Sequence, residues 1–352
     1  MRTRSSSIIV RLATGMMSGL VAFGLLMPVA VAADWASVIM YHRFGEGQHP
    51  STNIKPEQFR DHIAELKSGK YTVLPLSEIV DRLERGEELP DRTVALTIDD
   101  AYRSVFDVAW PMLRDAELPF TIFVSTEPVD KRFSDYMTWD QLRLLRDAGV
   151  HIGHHAHTHT RLPALSPDQV MAEIKTANER FDAELGFVPA IFAYPYGAFG
   201  DEVKTVIRNA GFKAAFGQQS GVAYSGYDRF ELPRFAMSEN YGGIGRFRLA
   251  ANALPFRVKD VTPSDNVLSR NPPIFGFTID ENYGSLKTLS CFSSSQTGGA
   301  VPIEKIGGRR VEVRVSTPFK SSRGRINCTL LGPDRRWRWF GSLFYIPNGV
   351  GR

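Results

Sequence analysis

From residue 36 to about residue 236, short apolar runs rich in β-branched and aromatic residues alternate with segments whose apolar positions recur at helical spacing. The runs at 38–41, 93–98, 120–124, 150–153, 190–194, 213–217 and 230–235 predict strands. The segments at 56–67, 105–116, 139–148, 167–185 and 202–210 predict helices. Gly69, Gly86, Gly149, Gly186 and Gly211 stand where a left-handed C-terminal cap is wanted, and Ser166 followed by Pro167 supplies an N-cap with proline at the first helical position. These seven runs, alternating with helices, imply an α/β fold with a parallel sheet, either a barrel or a doubly wound sheet. A distorted (β/α) barrel is favoured, because the candidate functional residues below follow several different strands, as at the C-terminal rim of such barrels.

After Leu254-Pro255 the period changes. Val311, Val313 and Val315 share one face with Arg310, Glu312 and Arg314 on the other, and Trp337 and Trp339 alternate with Arg336 and Arg338. A small C-terminal all-β unit of sandwich type is expected, with the two tryptophans on its core face. The division read from the sequence is a leader at 1–32, a barrel at 33–255, a linker at 256–267 and a basic β domain at 268–352.

Charge and composition sharpen this picture. Arg2, Arg4 and Arg11 precede an apolar stretch that ends in Ala30-Val31-Ala32, the pattern of a cleaved secretory signal, with an uncleaved anchor as the alternative. A periplasmic or secreted protein follows, with no membrane span after cleavage and no nucleic-acid partner. The net charge of +4 hides an asymmetry: 268–352 carries +8, whereas 33–267 carries about −7. The basic region either docks on an anionic envelope polymer or packs against the acidic body. Both cysteines, Cys291 and Cys328, lie in this region, and export favours a disulfide between them over two buried thiols.

Five of the eight histidines, His151, His154, His155, His157 and His159, fall within nine residues, and Asp99-Asp100 closes the apolar strand at 93–98. Two adjacent carboxylates at a buried strand end repel each other unless a cation or a proton intervenes. Imidazole and carboxylate together suit a borderline divalent ion, with zinc the best match, and a catalytic site needs only three protein ligands. Tyr194-Pro195-Tyr196-Gly197 follows a further strand, where proline and glycine can aim a backbone N–H at a reacting centre. Arg234 ends the last strand with a cation, and His42 ends the first.

Taken in order, these motifs resemble the polysaccharide deacetylases of carbohydrate esterase family 4, the NodB homology domain, and most of all the branch that includes poly-N-acetylglucosamine deacetylases. Thr97-Ile98-Asp99-Asp100 corresponds to the first motif, His155-Ala156-His157-Thr158-His159 to the second and Ala193-Tyr194-Pro195-Tyr196-Gly197 to the third, within a match spanning 36–237. The resemblance implies a barrel of about seven strands, with Asp99 as general base, Asp100, His155 and His159 holding the metal, and the Tyr196 backbone N–H facing an oxyanion. It implies removal of N-acetyl groups from an N-acetylated polysaccharide, with release of acetate. Tyr194, Pro195 and Tyr196 are the candidate substrate contacts, and Tyr41, Trp139 and Phe199 are further aromatics for a sugar platform.

Two departures bear on function. Ala193 stands where the family carries an arginine that orients the base, and Arg234 is the candidate replacement. No histidine follows His159 to protonate the leaving amine, and His42 is the candidate acid. The rival readings are therefore an O-acetyl esterase, whose leaving alkoxide needs less acid help, and a non-catalytic glycan-binding protein with a vestigial metal site.

Overall fold

A computed structural model describes residues 32–296 and 298–350; the leader expected at 1–32 lies almost wholly outside the described residues. No helix among them is long and apolar enough to cross a membrane.

Seven parallel strands form a curled half-barrel: β1 (Trp35–Tyr41), β2 (Thr93–Asp99), β3 (Thr121–Val124), β4 (His151–His154), β5 (Ile191–Ala193), β6 (Ala214–Phe216) and β7 (Phe235–Ala236). Their order across the sheet is β6-β5-β4-β3-β2-β1, and β7 pairs with the far side of β1. The chain leading into β7 bridges back to β6 through Phe216 and Leu232, so the sheet curls nearly shut. The expected strand at 230–235 is therefore only a short pairing at its end.

Every residue of β2 is buried, which is why it reads as a continuous apolar run and not as an alternation. Its residues still divide by period two. Val94, Leu96 and Ile98 join the layer beneath the helices, whereas Ala95 joins Val38, Phe123, Ala193 and Phe216 inside the curl. Thr97 and Asp99 follow Ala95 on the inner side, and this puts a carboxylate at the open end of the barrel.

The helices are α1 (Pro56–Leu66), α2 (Leu76–Arg85), α3 (Trp110–Asp115), α4 (Thr126–Asp130), α5 (Trp139–Asp147), α6 (Pro167–Leu185), α7 (Asp201–Asn209) and α8 (Ile244–Ala251). α5 and α6 begin with capping boxes at Thr138 and Ser166, and Gly86 and Gly186 end α2 and α6 in the left-handed conformation. α2, α4 and α8 lie outside the sequence expectation. In α2, Leu76, Ile79, Val80 and Leu83 recur at helical spacing and close the inner cluster of the barrel from below. The expected helix at 105–116 opens with one wide turn at Val105–Ala109 before α3.

The C-terminal strands build two four-stranded sheets. One contains β8 (Leu254–Pro255), β11 (Ser290–Ser293), β14 (Arg323–Leu331) and β15 (Trp337–Tyr345); the other contains β9 (Val258–Thr262), β10 (Phe275–Ile279), β12 (Ile303–Ile306) and β13 (Arg310–Val313). Phe275, Phe277, Val311, Val313, Ile326, Leu330 and Phe344 share the core between them. Cys291 and Cys328 face each other across β11 and β14 and are bonded. The region expected as a linker contributes β9 to this unit, because Val258 and Val261 pack on its core.

The described residues form one compact unit. Trp339 lies not in the sandwich core but against Phe235 of the half-barrel, with ring centroids 5.5 Å apart and the Arg246 guanidinium over it. Leu254–Pro255 pairs in parallel with Arg338–Trp339, and Arg336 bonds Asp91 at 2.7 Å. Trp339 and Arg336 thus meet the barrel, the ring through Phe235 and the guanidinium through Asp91, while Arg338 pairs with Asp334 beside it.

Candidate active site

The site is assembled at the C-terminal ends of β1, β2, β4 and β5. Asp100 and Ala101 leave β2 with φ of 76° and 55°, and Ala156, His159 and Tyr196 also have φ near 60°. Left-handed backbone is unfavourable for residues with a Cβ, and here it recurs in all three motifs. The surrounding contacts impose it. The Thr126 and Glu127 N–H groups at the start of α4 donate to the carbonyls of Ala156 and His157, and the Ser125 hydroxyl donates to the His155 carbonyl at 2.6 Å. From the other side Glu173 of α6 accepts from the His157 and Thr158 N–H groups at 3.2 and 2.8 Å and from the Thr158 hydroxyl at 2.9 Å.

This loop brings Asp100, His155 and His159 together, with one ligand atom from each lying within 4.8 Å of the others. His155 Nε2 is 3.3 Å and His159 Nε2 is 2.9 Å from Asp100 Oδ1. The His155 Nδ1–H donates to the Ala193 carbonyl at 2.7 Å, which leaves the Nε2 lone pair directed at the cluster. Asp100 Oδ1 and His155 Nε2 are buried without hydrogen-bond partners. Two orphaned buried acceptors beside a third nitrogen donor fit a divalent cation, since an unpaired buried acceptor is otherwise costly. Burial alone would raise the Asp100 carboxyl, but His159 and His155 outweigh it and hold it well below the usual range.

Asp99 is fully buried beside this cluster, and Arg234 grips it at both oxygens: Nη1 to Oδ1 at 2.7 Å and Nη2 to Oδ2 at 2.8 Å. Arg234, also fully buried, donates further to the Gly217 carbonyl and the Thr97 hydroxyl. Burial pushes the Asp99 carboxyl up, but the charges of Arg234, His155 and His42 prevail and its pKa is lowered. His42 Nε2 is 3.9 Å from Asp99 Oδ2. Burial lowers the pKa of His42 despite the raising influence of Asp100 and Asp99.

The remaining histidines have other partners. His151 meets the Thr121 hydroxyl, His157 meets the Thr126 hydroxyl at 2.7 Å, and His154 packs among Phe181, Phe192 and Phe212.

Of the expected aromatic platform only Tyr196 is partly exposed. Tyr194 is fully buried, donates its hydroxyl to the Phe230 carbonyl at 2.8 Å and packs on Phe192 and Phe199; its ring belongs to the core. Pro195, Tyr41 and Phe199 are buried as well, and the Trp139 indole N–H is tied to Asp130. Tyr102, Tyr136 and Arg43, which the motifs did not single out, form the wall beside Asp100. The two tyrosine rings lie tilted with centroids 4.8 Å apart, the Arg43 guanidinium covers Tyr102 at 3.5 Å, and burial, helped by the Asp100 charge, raises both phenols. Tyr102 adjoins the first motif, but nothing local marks Tyr136; the loop that returns it bridges Tyr102 directly.

Residues 86–215, which hold all three motifs, match the family model for polysaccharide deacetylase. That segment is similar to polysaccharide deacetylases. It is similar to the poly-beta-1,6-N-acetyl-D-glucosamine N-deacetylase of Staphylococcus aureus, with 23% identity over 221 residues, covering 59% of this chain and 76% of that one. Among solved structures, the Streptococcus pyogenes deacetylase PplD in complex with acetate superposes with a TM-score of 0.57 at 22% identity, covering 63% of this chain and 99% of that chain. The structure of IcaB from Ammonifex degensii gives a TM-score of 0.55 at 22% identity, covering 63% and 98%. These two likenesses are of fold, and each takes in nearly the whole of the other chain.

Proposed function

We propose that the protein is a periplasmic or secreted, metal-dependent deacetylase that removes N-acetyl groups from a polysaccharide containing N-acetylglucosamine and releases acetate. The observation that carries this reading is the pair of unpaired buried acceptors on Asp100 and His155, converging with His159 beside an arginine-held Asp99. Asp100, His155 and His159 hold the ion, and zinc suits two imidazoles and one carboxylate. A bound ion supplies a Lewis acid that polarises the acetamide carbonyl and makes water easier to deprotonate.

In this reading Asp99 is the general base. Arg234 keeps it ionised and fixes its plane, so that one oxygen can take a proton from the attacking water. The Tyr196 backbone N–H, presented by the left-handed turn of the third motif, faces the developing oxyanion. His42, across from Asp99, passes a proton to the departing amine. A second reading, hydrolysis of O-acetyl esters, draws support from the lowered pKa of His42, since an alkoxide leaves with less help than an amine.

The test is acetate release from N-acetylglucosamine oligomers before and after chelation and with zinc restored, with O-acetylated glycan run in parallel. Asp99→Asn is expected to retain metal and lose on the order of 100- to 10,000-fold in turnover, whereas His155→Ala loses metal as well. Equal metal loss in both variants contradicts the assigned roles.

A further inference from the structure

Arg323 and Arg325 stand two apart on β14, so their side chains leave the same face of the strand. Gly324 between them lies against Phe319 so closely that a Cβ there would come within 2.4 Å of the ring. The two arginines line a cleft of about 430 Å3 together with Lys320 and the hydroxyls of Ser294, Ser295 and Ser321.

This cleft is tied to the deacetylase site. Arg323 Nη2 donates to Gln218 Oε1 at 2.6 Å, and Gln218 packs against Gly197 of the third motif, where a Cβ would sit 2.5 Å from the Gln218 Cβ. On the barrel side the Arg161 guanidinium lies 4.1 Å over the Tyr196 ring, and that ring is 4.6 Å from the His159 ring. A track of contacts thus runs from the carboxylate-histidine cluster through Tyr196 and Arg161, with the basic cleft of the sandwich beside it.

These cations are unneutralised. Four other arginines of the C-terminal unit have carboxylate partners, Arg310 with Glu312, Arg314 with Glu304, Arg336 with Asp91 and Arg338 with Asp334, whereas Arg270, Arg309 and Arg335 lie outside the cleft without one among the described residues. Arg161, Lys320, Arg323 and Arg325 have no carboxylate within 4.0 Å among the described residues. The Nε–H groups of Arg323 and Arg325 are buried with no hydrogen-bond partner. Burial, with the like charges of Arg325 and Arg161, brings Arg323 down to about 9. Two guanidinium forks held together without counter-charge are stabilised most by an oxyanion that accepts from both.

We propose that this cleft binds a carboxylate or phosphate carried by the glycan, so that the substrate of the deacetylase is an acidic N-acetylated polysaccharide gripped by the C-terminal unit while its acetamide lies at the Asp100–His155–His159 cluster. The proposal rests on the deacetylase reading for the acetamide, but the anion site itself is measurable without turnover.

Calorimetric titration of the chelator-treated full chain compares three probes. They are a neutral N-acetylglucosamine hexamer, a hexasaccharide alternating N-acetylglucosamine with glucuronate, and an oligomer of N-acetylglucosamine 1-phosphate. At least one charged probe is expected to bind about tenfold or more tightly than the neutral one at low salt. The preference shrinks at about 1 M salt, where screening acts within ~3 Å. Whichever charged probe carries it identifies the anion. Arg323→Gln combined with Arg325→Gln brings the affinity ratio toward one, and Arg323→Lys keeps part of it. Equal binding of all three probes by the unaltered protein overturns the proposal, and so does a preference that survives the double substitution in a folded protein. Acetate assays on the zinc-loaded protein separate the two readings: charged preference without acetate release from any probe retains the anion site and removes the deacetylase reading.

Discussion

Replacing Arg234 by methionine tests how the half-barrel tolerates a carboxylate at its centre. The side chain is fully buried and makes two hydrogen bonds to Asp99, which is fully buried too, and one each to Thr97 and Gly217. Methionine fills much of the volume but leaves the Asp99 carboxylate without its counter-charge. Removing one partner of a buried pair costs about 3 to 5 kcal/mol, because the other charge stays desolvated. Against a typical domain stability of about 5 to 15 kcal/mol this leaves a folded but weakened protein. Urea unfolding at neutral pH measures the loss as a lower midpoint at unchanged slope. The same logic sets the double variant: Asp99→Asn with Arg234→Met removes the stranded charge, so it is expected to be no less stable than Arg234→Met alone. A loss under about 1 kcal/mol for Arg234→Met, where exposed pairs fall, or strict additivity in the double variant, refutes the account of Arg234 as the group that makes an ionised Asp99 tolerable.

Three further outcomes follow from other parts of the structure. His62 is buried, accepts from the Tyr41 hydroxyl at 2.9 Å and donates to the Gly242 carbonyl at 2.8 Å, and burial lowers its pKa to about 4. The unfolded chain takes up this proton first as pH falls, so the stability is fully present above about pH 6.5 and is lost towards pH 4, by ~3 kcal/mol in all; His62→Gln flattens that part of the urea-unfolding pH profile, and an unchanged profile counts against the assignment. Glu173→Ala frees the loop between His155 and His159 and is expected to weaken zinc affinity by about 10- to 100-fold, the usual cost of losing support behind metal ligands, read by competition with a chromophoric chelator; unaltered affinity means the loop holds its shape without Glu173. Substituting both Cys291 and Cys328 by serine opens a loop of sequence separation 37, and thermal unfolding should register a loss of roughly 4 kcal/mol in the chain-entropy model; a change near zero shows that the sandwich core alone constrains this region.

Much of this protein is legible in local sequence, and the reason is locality itself. Strand and helix positions in the half-barrel follow from side-chain periodicity and from caps such as Ser166-Pro167 and Gly186, which act within a few residues. The short run from His155 to His159 together with Asp99-Asp100 marked the region of the site, because adjacent carboxylates and clustered imidazoles imply a cation wherever they meet. α2 shows a limit of reading and not of information: its apolar spacing is regular, and Gly86 caps it.

Other features exist only once the chain has folded. Arg234 reaches Asp99 across 135 positions because β7 lies beside β1 and the curl closes over both. Tyr194 and Tyr196 are two residues apart in one motif, yet one ring enters the core and the other meets the rim, a division set by the left-handed turn at Tyr196 and by the Phe192–Phe199 packing. Trp339 looked like sandwich core and instead meets Phe235 of the barrel. The charge count of the C-terminal region states that cations are in excess, but which of them lack partners depends on where Asp91, Glu304, Glu312 and Asp334 come to lie. Periodicity and short motifs by themselves determined the elements and the kind of chemistry. Pairing, burial and charge compensation were decided by the tertiary structure, since each depends on atoms that are distant in sequence and neighbours only in space.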